Sequence, residues 1–388
     1  MKSLKILHTS DWHFGVESWS QTVPTDRTPE ICSALDKLLE ISEREGVDLF
    51  LITGDVFHSR TSPSIDVMRR VLGYLIRMAK LAPVVVLMGN HDWKGMILLG
   101  KFLREATSVA SNVVVPGFEP VEVEARRGQK VKILPFPYLD KELGVEERVF
   151  AEGEKRIYEF VEAKLREYRE TPRGEFTVFL GHFTLRGLEP PGMEMGREII
   201  IPRELLPTSV DYIALGHIHE LRKVEERGLP LTFYAGSPIR LDFSEEKDRK
   251  GAVLVTLRSD GDHTYEILDT SPKSLKTLVF EKLDYRALEQ LERMCAIFDG
   301  YVRVQYFEDP KDLALEVLNR LRGKVVKVEM VQRKNRQGVF TIGESLEEEI
   351  HPTSLMDLYR EFVQEKYGEQ ANDLVRLLGE ILREVEEG

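Results

Sequence analysis

The chain has 388 residues, of which 42% are hydrophobic and 31% charged, and its formal net charge is −12. These values exclude a disordered chain, a collagen and a disulfide-stabilised miniprotein, and they predict a soluble globular protein of two or three domains. The acidic balance argues against a free-standing DNA coat protein, whose affinity would come from a basic surface. It does not exclude an enzyme that meets phosphates through bound metal cations, because formal charge leaves those cations out.

Two features favour a reducing, cytoplasmic location. Cys32 and Cys295, the two cysteines of the sequence, lie far apart and form no CxxC motif. The N-terminus opens with a strand-like run at residues 5–10, without the basic region and apolar segment of a secretion signal. No run of 18 apolar residues occurs, so we expect no membrane-spanning segment.

Short apolar runs alternate with amphipathic stretches along the first 170 residues. After residues 5–10, the β-branched runs at 48–53, 84–88 and 131–134 predict buried strands, and helical periodicity covers residues 29–45 and 64–80. Further strands are predicted at residues 176–180, 211–215, 231–235 and 251–257. This mixture predicts an α/β fold over residues 1–272, a two-sheet sandwich with helices outside.

The composition changes after residue 272. Residues 273–333 follow the order strand, helix, strand, helix, strand, which predicts a small α+β capping domain. Residues 334–351, first basic and then acidic, are typical of a linker. Residues 352–388 predict a C-terminal helical hairpin with two apolar stripes, which either bury each other or dock on a partner. We favour docking, because so short a pair has little core of its own.

The nine histidines are the most informative residues. Six of them directly follow strand-like runs, beside Asp, Asn or Gly, in five strings: residues 10–13 (SDWH), 54–58 (GDVFH), 89–92 (GNHD), 181–182 (GH) and 216–219 (GHIH). The carboxyl ends of strands in α/β sheets converge on one edge, where sites are built. The repeated pattern therefore predicts one site.

The chemistry of these side chains indicates metal binding. Imidazole, carboxylate and amide groups together suit Mn, Fe, Co or Zn better than Mg or Ca. Seven such groups without cysteine are too many for one tetrahedral zinc, and they suffice for two octahedral metals if one carboxylate bridges. Two adjacent metals stabilise the attacking and the leaving oxygen of a phosphoryl transfer.

These strings resemble the calcineurin-like metallophosphoesterases. The match consists of Asp11-x-His13, Gly54-Asp55, Gly89-Asn90-His91-Asp92, His182 and Gly216-His217-x-His219. Within that superfamily, residues 9–15 (TSDWHFG), residues 54–58 and the domain order are similar to the DNA double-strand-break repair nucleases of the SbcD and meiotic-recombination-eleven type. Protein Ser/Thr phosphatases carry an Asp followed by Arg-Gly where this chain has His58 and Ser59-Arg60. Phe14 stands where Leu is commoner in the nucleases.

The resemblance implies a role for each residue of the strings. One metal would be held by Asp11, His13, Asp55 and His219. The second would be held by Asp55, Asn90, His182 and His217, with Asp55 bridging. His91 would be the catalytic histidine that binds no metal, with His58 beside it. The implied cofactors are two divalent ions, with Mn²⁺ expected. We further expect His8 to be buried behind the site and Asp92 to be a structural carboxylate.

The function expected from this resemblance is a Mn-dependent DNA exonuclease and endonuclease with weak sequence preference. Its partner would be an SbcC-type coiled-coil ABC ATPase bound through residues 352–388. One alternative is a metallophosphodiesterase or phosphatase for small nucleotides, but such an enzyme needs neither His58 nor a cap and tail. Another alternative is a scaffold without activity, but an inert relative would be expected to have lost some ligands.

Three weaker signals stay open at the level of sequence. Residues 65–80 and 95–106 carry apolar arcs wider than a surface helix needs. They predict either a deeply buried helix pair or a homodimer interface, which we favour. Residues 236–238 (GSP) form either a plain turn or a contact to substrate. The basic cluster at residues 333–336 belongs either to a solvated linker or to a DNA contact.

Overall fold

The computed structural model describes residues 2–19, 25–59, 63–92, 112–139, 154–189, 199–308 and 311–331. The chain divides into two compact units, residues 1–328 and 329–388. All elements below belong to the first unit, apart from the last two residues of the final strand. The predicted linker at 334–351, the predicted tail at 352–388 and the second predicted interface helix at 95–106 lie outside the described residues.

The first of two six-stranded sheets contains the N-terminal strand. Its strand order is β16-β15-β1-β4-β5-β6, with β1, β4, β5 and β6 parallel and β15 and β16 antiparallel to their neighbours. The strands are β1 (Ser3–Thr9), β4 (Leu49–Ile52), β5 (Val84–Val86), β6 (Val113–Val114), β15 (Ala252–Arg258) and β16 (Thr264–Leu268). The short ribbon of β2 (Glu17–Ser18) and β3 (Thr25–Asp26) follows β1 in the chain.

The second sheet has the order β13-β14-β12-β9-β8-β7. Its four inner strands are parallel, and β7 and β13 are antiparallel edges. The strands are β7 (Val121–Glu124), β8 (Lys130–Phe136), β9 (Phe176–His182), β12 (Tyr212–Gly216), β13 (Arg222–Lys223) and β14 (Leu231–Tyr234). A small pair, β10 (Thr184–Leu185) and β11 (Ile200–Ile201), accompanies this sheet in the chain.

Alternating side chains of both sheets form three hydrophobic layers. The inner layer joins the sheets, for example through Ile6 and Leu51 of one and Val178 and Ala214 of the other. The opposite face of the first sheet packs on helices α1 (Thr28–Glu45) and α2 (Ile65–Leu81). The opposite face of the second sheet packs on helix α3 (Glu154–Glu170). The predicted two-sheet α/β sandwich with helices outside is therefore confirmed.

Helix α2 uses much of its wide apolar arc inside its own chain. It begins at Ser64, whose hydroxyl accepts a hydrogen bond from the Val67 amide. One half of the arc is buried in the core beside α1, including Leu75, whereas Ile65 remains 80% exposed. Met68 and Leu72 are partly buried between these extremes. The arc is thus partly explained by burial within the chain, and the predicted homodimer contact stays a prediction.

Residues 274–330 form a third, smaller sheet with two helices. The elements are β17 (Ser274–Lys282), α4 (Tyr285–Ile297), β18 (Gly300–Glu308), α5 (Lys311–Arg320) and β19 (Val325–Met330). They follow the order that the sequence predicts, and β18 lies between β17 and β19. The helices and strands enclose a separate cluster of apolar side chains, such as Leu291 and Val304. That this unit caps a DNA-binding site stays a prediction.

Within the described residues, no helix combines the length and the apolarity that crossing a lipid bilayer requires.

Candidate metal centre

The predicted site residues lie at or just after the carboxyl ends of strands β1, β4, β5, β9 and β12. The amide of Asp11 donates to the Gly54 carbonyl at 2.9 Å, which joins the loops after β1 and β4. The amide of His217 donates to the Asp11 carboxylate at 3.1 Å, which joins the loop after β12 to the other sheet. Both sheets therefore contribute to one site, as the rule of converging strand ends predicts.

Four of the site residues have left-handed backbone conformations. Asp11, His13, Asp55 and His217 have φ angles of 50°, 50°, 52° and 90°. Such angles are uncommon for residues other than glycine; each costs about 1–3 kcal/mol and persists only where the surroundings enforce it. Gly216 has no room for a side chain, since a Cβ there would lie 2.1 Å from the Thr53 carbonyl oxygen. This concentration of strained backbone is typical of a functional site.

A first group of possible ligands contains Asp11, His13 and His219. One ligand atom from each lies within 4.8 Å of the others. Nε2 of His13 is 3.1 Å from Nε2 of His219. Nδ1 of His219 lies 2.7 Å from a carboxylate oxygen of Glu245, so it donates there and leaves Nε2 as the nitrogen that can bind a metal.

A second group contains Asp55, His182 and His217, again with ligand atoms within 4.8 Å of one another. The amide oxygen of Asn90 is 3.0 Å from Nε2 of His182 and 3.1 Å from Nδ1 of His217. Nδ1 of His182 donates to the Thr53 carbonyl at 2.7 Å, which leaves Nε2 for a metal. Asn90 therefore completes the second predicted ligand set.

The carboxylate of Asp55 belongs to the second group and also faces the first. One oxygen is 3.6 Å from Nε2 of His13, and the other is 3.5 Å from Nε2 of His182. The amide of His91 donates to the second oxygen at 2.9 Å. An oxygen directed toward each group is the arrangement that a bridging ligand requires.

These residues fit a pair of divalent metals. Two imidazole nitrogens 3.1 Å apart, as in His13 and His219, repel each other unless a proton or a cation lies near both lone pairs. The donor set of imidazoles, carboxylates and one amide suits borderline transition metals. The roles of the individual ligands remain predictions.

In the absence of metal, a proton on His182 compensates the buried negative charge of Asp55. Burial acts most strongly on His182 and lowers its pKa, but the Asp55 carboxylate and other partners more than offset this effect and raise the pKa to about 9. Burial holds the pKa of His13 well below its ordinary value. A metal binds neutral imidazole, so its binding must displace the proton that His182 holds beside Asp55.

His58 and His91 lie next to the first group, and their ligand atoms form a further cluster with His13. Their rings are stacked, with centroids 5.7 Å apart and an angle of 14° between the planes. Nδ1 of His91 donates to the main-chain carbonyl of His58 at 2.7 Å, so Nε2 is the nitrogen available to a substrate. His58 is exposed and His91 is half-buried. The structure thus brings all nine predicted site residues together.

Two expectations about neighbouring residues are confirmed. His8 is buried, with its ring nitrogens 2.7 Å from the Tyr212 hydroxyl and 2.9 Å from the Thr53 hydroxyl. Asp92 is a buried structural carboxylate that accepts hydrogen bonds from the amides of Phe57 and Gly89, each at 3.0 Å. Burial is the main cause that raises the pKa of Asp92 to about 7.

Glu245 and Lys250, which the sequence did not mark as site residues, lie directly behind His219. Burial alone would raise the pKa of Glu245, but the hydrogen bond from His219 and the charge of Lys250 lower it to about 2. Residues 236–238 support the same loop, because the Ser237 amide donates to the His219 carbonyl at 3.0 Å. No strand-end pattern marks Glu245 or Lys250, which occur in a run of charged residues.

Comparison with known proteins identifies the family of the chain. Residues 4–221 match the family described as calcineurin-like phosphoesterase, and the chain belongs to this family. It is similar to the SbcD component of nuclease SbcCD from Bacillus subtilis (strain 168), with 26% identity over 409 aligned positions that cover 99% of each chain. It is also similar to the SbcD component of nuclease SbcCD from Escherichia coli (strain K12), with 30% identity over 274 positions and 65% of each chain. A dimetal phosphatase from Danio rerio superposes with a TM-score of 0.44 and 11% identity, covering 69% of this chain and 97% of that one.

Proposed function

We propose that this protein is the nuclease subunit of an SbcCD-type DNA repair complex, and that it hydrolyses DNA phosphodiester bonds as an exonuclease and endonuclease. The observation that carries the proposal is the pair of ligand groups with the Asp55 carboxylate between them, 3.6 Å from His13 and 3.5 Å from His182. The similarity to SbcD components of nuclease SbcCD, one over nearly the whole chain, supports the same function.

The proposed metal ligands are those that the resemblance implies. Asp11, His13, Asp55 and His219 would hold one ion, and Asp55, Asn90, His182 and His217 the other, with Mn²⁺ as the expected metal. Two such ions, when bound, supply a water of lowered pKa and neutralise the charge that develops on the phosphate. The protein contributes the fixed position of each ligand, which the left-handed backbone and the buried hydrogen bonds enforce.

His91 is proposed to protonate the departing sugar oxygen or to position the phosphate. The carbonyl of His58 fixes the Nδ1 proton of His91, so the imidazole presents Nε2 in a defined orientation. His58, which is exposed beside it, would contact a phosphate oxygen. The proposed roles of these groups involve the phosphate and the sugar oxygen and no base, so sequence preference should be weak.

A cluster of interacting side chains attaches the small sheet to the sandwich. The Arg27 guanidinium lies 5.1 Å from the ring centres of both Trp19 and Tyr301, and it pairs with Glu30. The Tyr301 hydroxyl, on β18, donates to the same Glu30 carboxylate at 2.8 Å. We propose that residues 273–333 act as a capping domain that contacts DNA beside the metal centre.

Three further proposals concern partners and location. Residues 352–388, joined through the linker at 334–351, would bind the SbcC-type ATPase. Residues 65–80 and 95–106 would form a homodimer. A cytoplasmic location is supported by Cys32 and Cys295, which are both free thiols.

The alternative function is hydrolysis of small nucleotide esters, and a comparison of two substrates separates it from the proposal. With Mn²⁺, the protein should cleave linear duplex DNA, and Tyr301→Phe should raise the KM for DNA while leaving hydrolysis of bis-p-nitrophenyl phosphate unchanged. The variant removes one hydroxyl, which contacts Glu30 and Lys273, and nothing at the metal centre. Hydrolysis of the small ester without cleavage of DNA would instead favour the alternative.

A further inference from the structure

A buried chain of charged groups extends from His219 away from the metal centre. Nδ1 of His219 donates to one oxygen of Glu245 at 2.7 Å. The other oxygen of Glu245 lies 2.8 Å from the Lys250 ammonium, whose side chain is fully buried. Lys250 also donates to the His219 carbonyl at 2.8 Å and to the Ser237 hydroxyl at 3.0 Å. The imidazole and the main chain of His219 are therefore both held by this pair.

The contacts of Glu245 require a carboxylate at this position. Its three partners are the His219 Nδ1–H group, the Lys250 ammonium and the Leu241 amide, which donates at 2.8 Å. All three are donors, so both oxygens must accept. A glutamine would direct its NH₂ group at one of these donors and leave a buried donor unsatisfied.

The two ligand groups differ in what orients their histidines. Nδ1 of His182 donates to the main-chain carbonyl of Thr53, which no side-chain substitution removes. Nδ1 of His219 depends instead on a carboxylate, which makes the imidazole a more basic ligand and fixes its tautomer. A change at Glu245 should therefore act on one metal position and spare the other.

We propose that Glu245 and Lys250 are positioning residues that orient His219 and thereby set the metal affinity of the group formed by Asp11, His13 and His219. The inference rests on the proposed function, since it assumes that this group holds a metal. Glu245 fixes the imidazole, and Lys250 balances the buried charge of Glu245 and anchors the loop of His219.

Calorimetric titration of the full chain with Mn²⁺ tests this proposal. The unchanged protein should bind two ions, and Glu245→Gln should bind one of them roughly 10–100-fold more weakly, the usual effect of removing such a partner. The matched control is Glu246→Gln, the adjacent carboxylate, which accepts a hydrogen bond from the Thr277 amide instead of one from His219. Its titration should equal that of the unchanged protein.

The outcomes separate the positioning role from the metal centre itself. Two unaltered binding steps in a folded Glu245→Gln variant would overturn the positioning role and leave the metal centre intact. No Mn²⁺ binding by the unchanged protein would overturn both. Lys250→Met should weaken the same step as Glu245→Gln, and weakening of the other step instead would contradict the proposal.

A measurement on the unchanged protein tests the proposal even if the variants fail to fold. Nitrogen NMR of labelled histidine should show His219 with its proton on Nδ1 in the metal-free chain, and addition of the diamagnetic ion Zn²⁺ should shift the signal of Nε2. An unprotonated Nδ1 in the metal-free chain, or a metal-dependent shift that is larger at Nδ1 than at Nε2, would contradict the orientation that Glu245 is proposed to impose.

Discussion

The Asp55 carboxylate approaches both ligand groups, whereas the His91 side chain lies beside only one of them. Asp55→Ala should therefore lose both metals, and His91→Ala should keep both while nuclease turnover falls by roughly 10²–10⁴, the usual contribution of a positioned acid. Metal content after dialysis, measured by mass spectrometry, checks the first effect. A His91→Ala protein without metal would show that His91 is a ligand.

His8 gives a prediction about stability, because burial lowers its pKa to about 3. The unfolded chain binds a proton at this residue near pH 6.5, whereas the folded chain keeps it neutral, so the full stabilisation is present above pH 6.5 and is lost as the pH falls toward 3. When the pH falls from about 7.5 to about 5.5, the titration of His8 should lower the free energy of unfolding by about 1.4 kcal/mol.

Urea unfolding of the unchanged protein and of His8→Gln measures this effect. The glutamine can hydrogen-bond to Tyr212 and Thr53 but does not titrate, and all other groups cancel in the comparison. The variant should lose about 1.4 kcal/mol less over the same pH interval. Equal losses in the two proteins would show that His8 does not carry the effect.

At the scale of residues, the sequence predicts the site where a local pattern exists. Asp11, Asp55, Asn90 and His182 each stand at the end of a strand-like run, and strand ends converge by topology. Glu245 and Lys250 lie in the run 242–250 (DFSEEKDRK), which is typical of a solvated surface. Only the packing of that loop against His219 makes them buried partners, and no local rule anticipates it.

At the scale of elements, buried strands were predictable because both of their faces are apolar. The edge strands β7 and β16 were missed, since one face of each is polar and exposed. Helix α3 was missed as well, because most of its residues are charged and a narrow stripe that includes Val161 and Leu165 packs on the sheet. An element that is buried on two sides is therefore easier to recognise in the sequence than an element that is buried on one side.

Helix α2 carries the prediction about the homodimer. Its exposed end should lie in the interface, so Ile65→Glu should convert a dimer into a folded monomer. The matched control is Leu75→Ala, which lies in the core of the chain and should lower the melting temperature without changing the mass in solution. Light scattering at micromolar concentration measures both masses. A monomeric unchanged protein would rule the interface out.

At the scale of the whole molecule, the order of the strands within each sheet could not be predicted from the sequence. Strand β15 pairs with β1 across more than 240 residues, and this pairing places the last strands of the sandwich beside the first. Periodicity identifies strands but carries no information on such distant partners. The two-sheet architecture could be predicted because helices and sheets of α/β chains pack in layers around an apolar core. The order of the strands within each sheet is known only from the structure.

The predicted tail provides a test of assembly. Deletion of residues 345–388 should abolish binding to an SbcC-type ATPase, because the proposed docking helices are removed. Hydrolysis of bis-p-nitrophenyl phosphate should stay unchanged, since all proposed ligands precede residue 220. Co-purification with the ATPase measures the first effect. Equal affinity of the truncated and complete chains for the ATPase would contradict the docking role.

The central claim is that two metals at one strand-end site cleave the DNA backbone. Release of nucleotides from linear duplex DNA by the purified chain, with Mn²⁺, with EDTA and with EDTA followed by excess Mn²⁺, tests it most directly. We predict cleavage with Mn²⁺, loss in EDTA, recovery on metal addition and no cleavage by Asp55→Ala. Cleavage that persists in EDTA or in Asp55→Ala, or intact DNA under conditions where bis-p-nitrophenyl phosphate is hydrolysed, would contradict it.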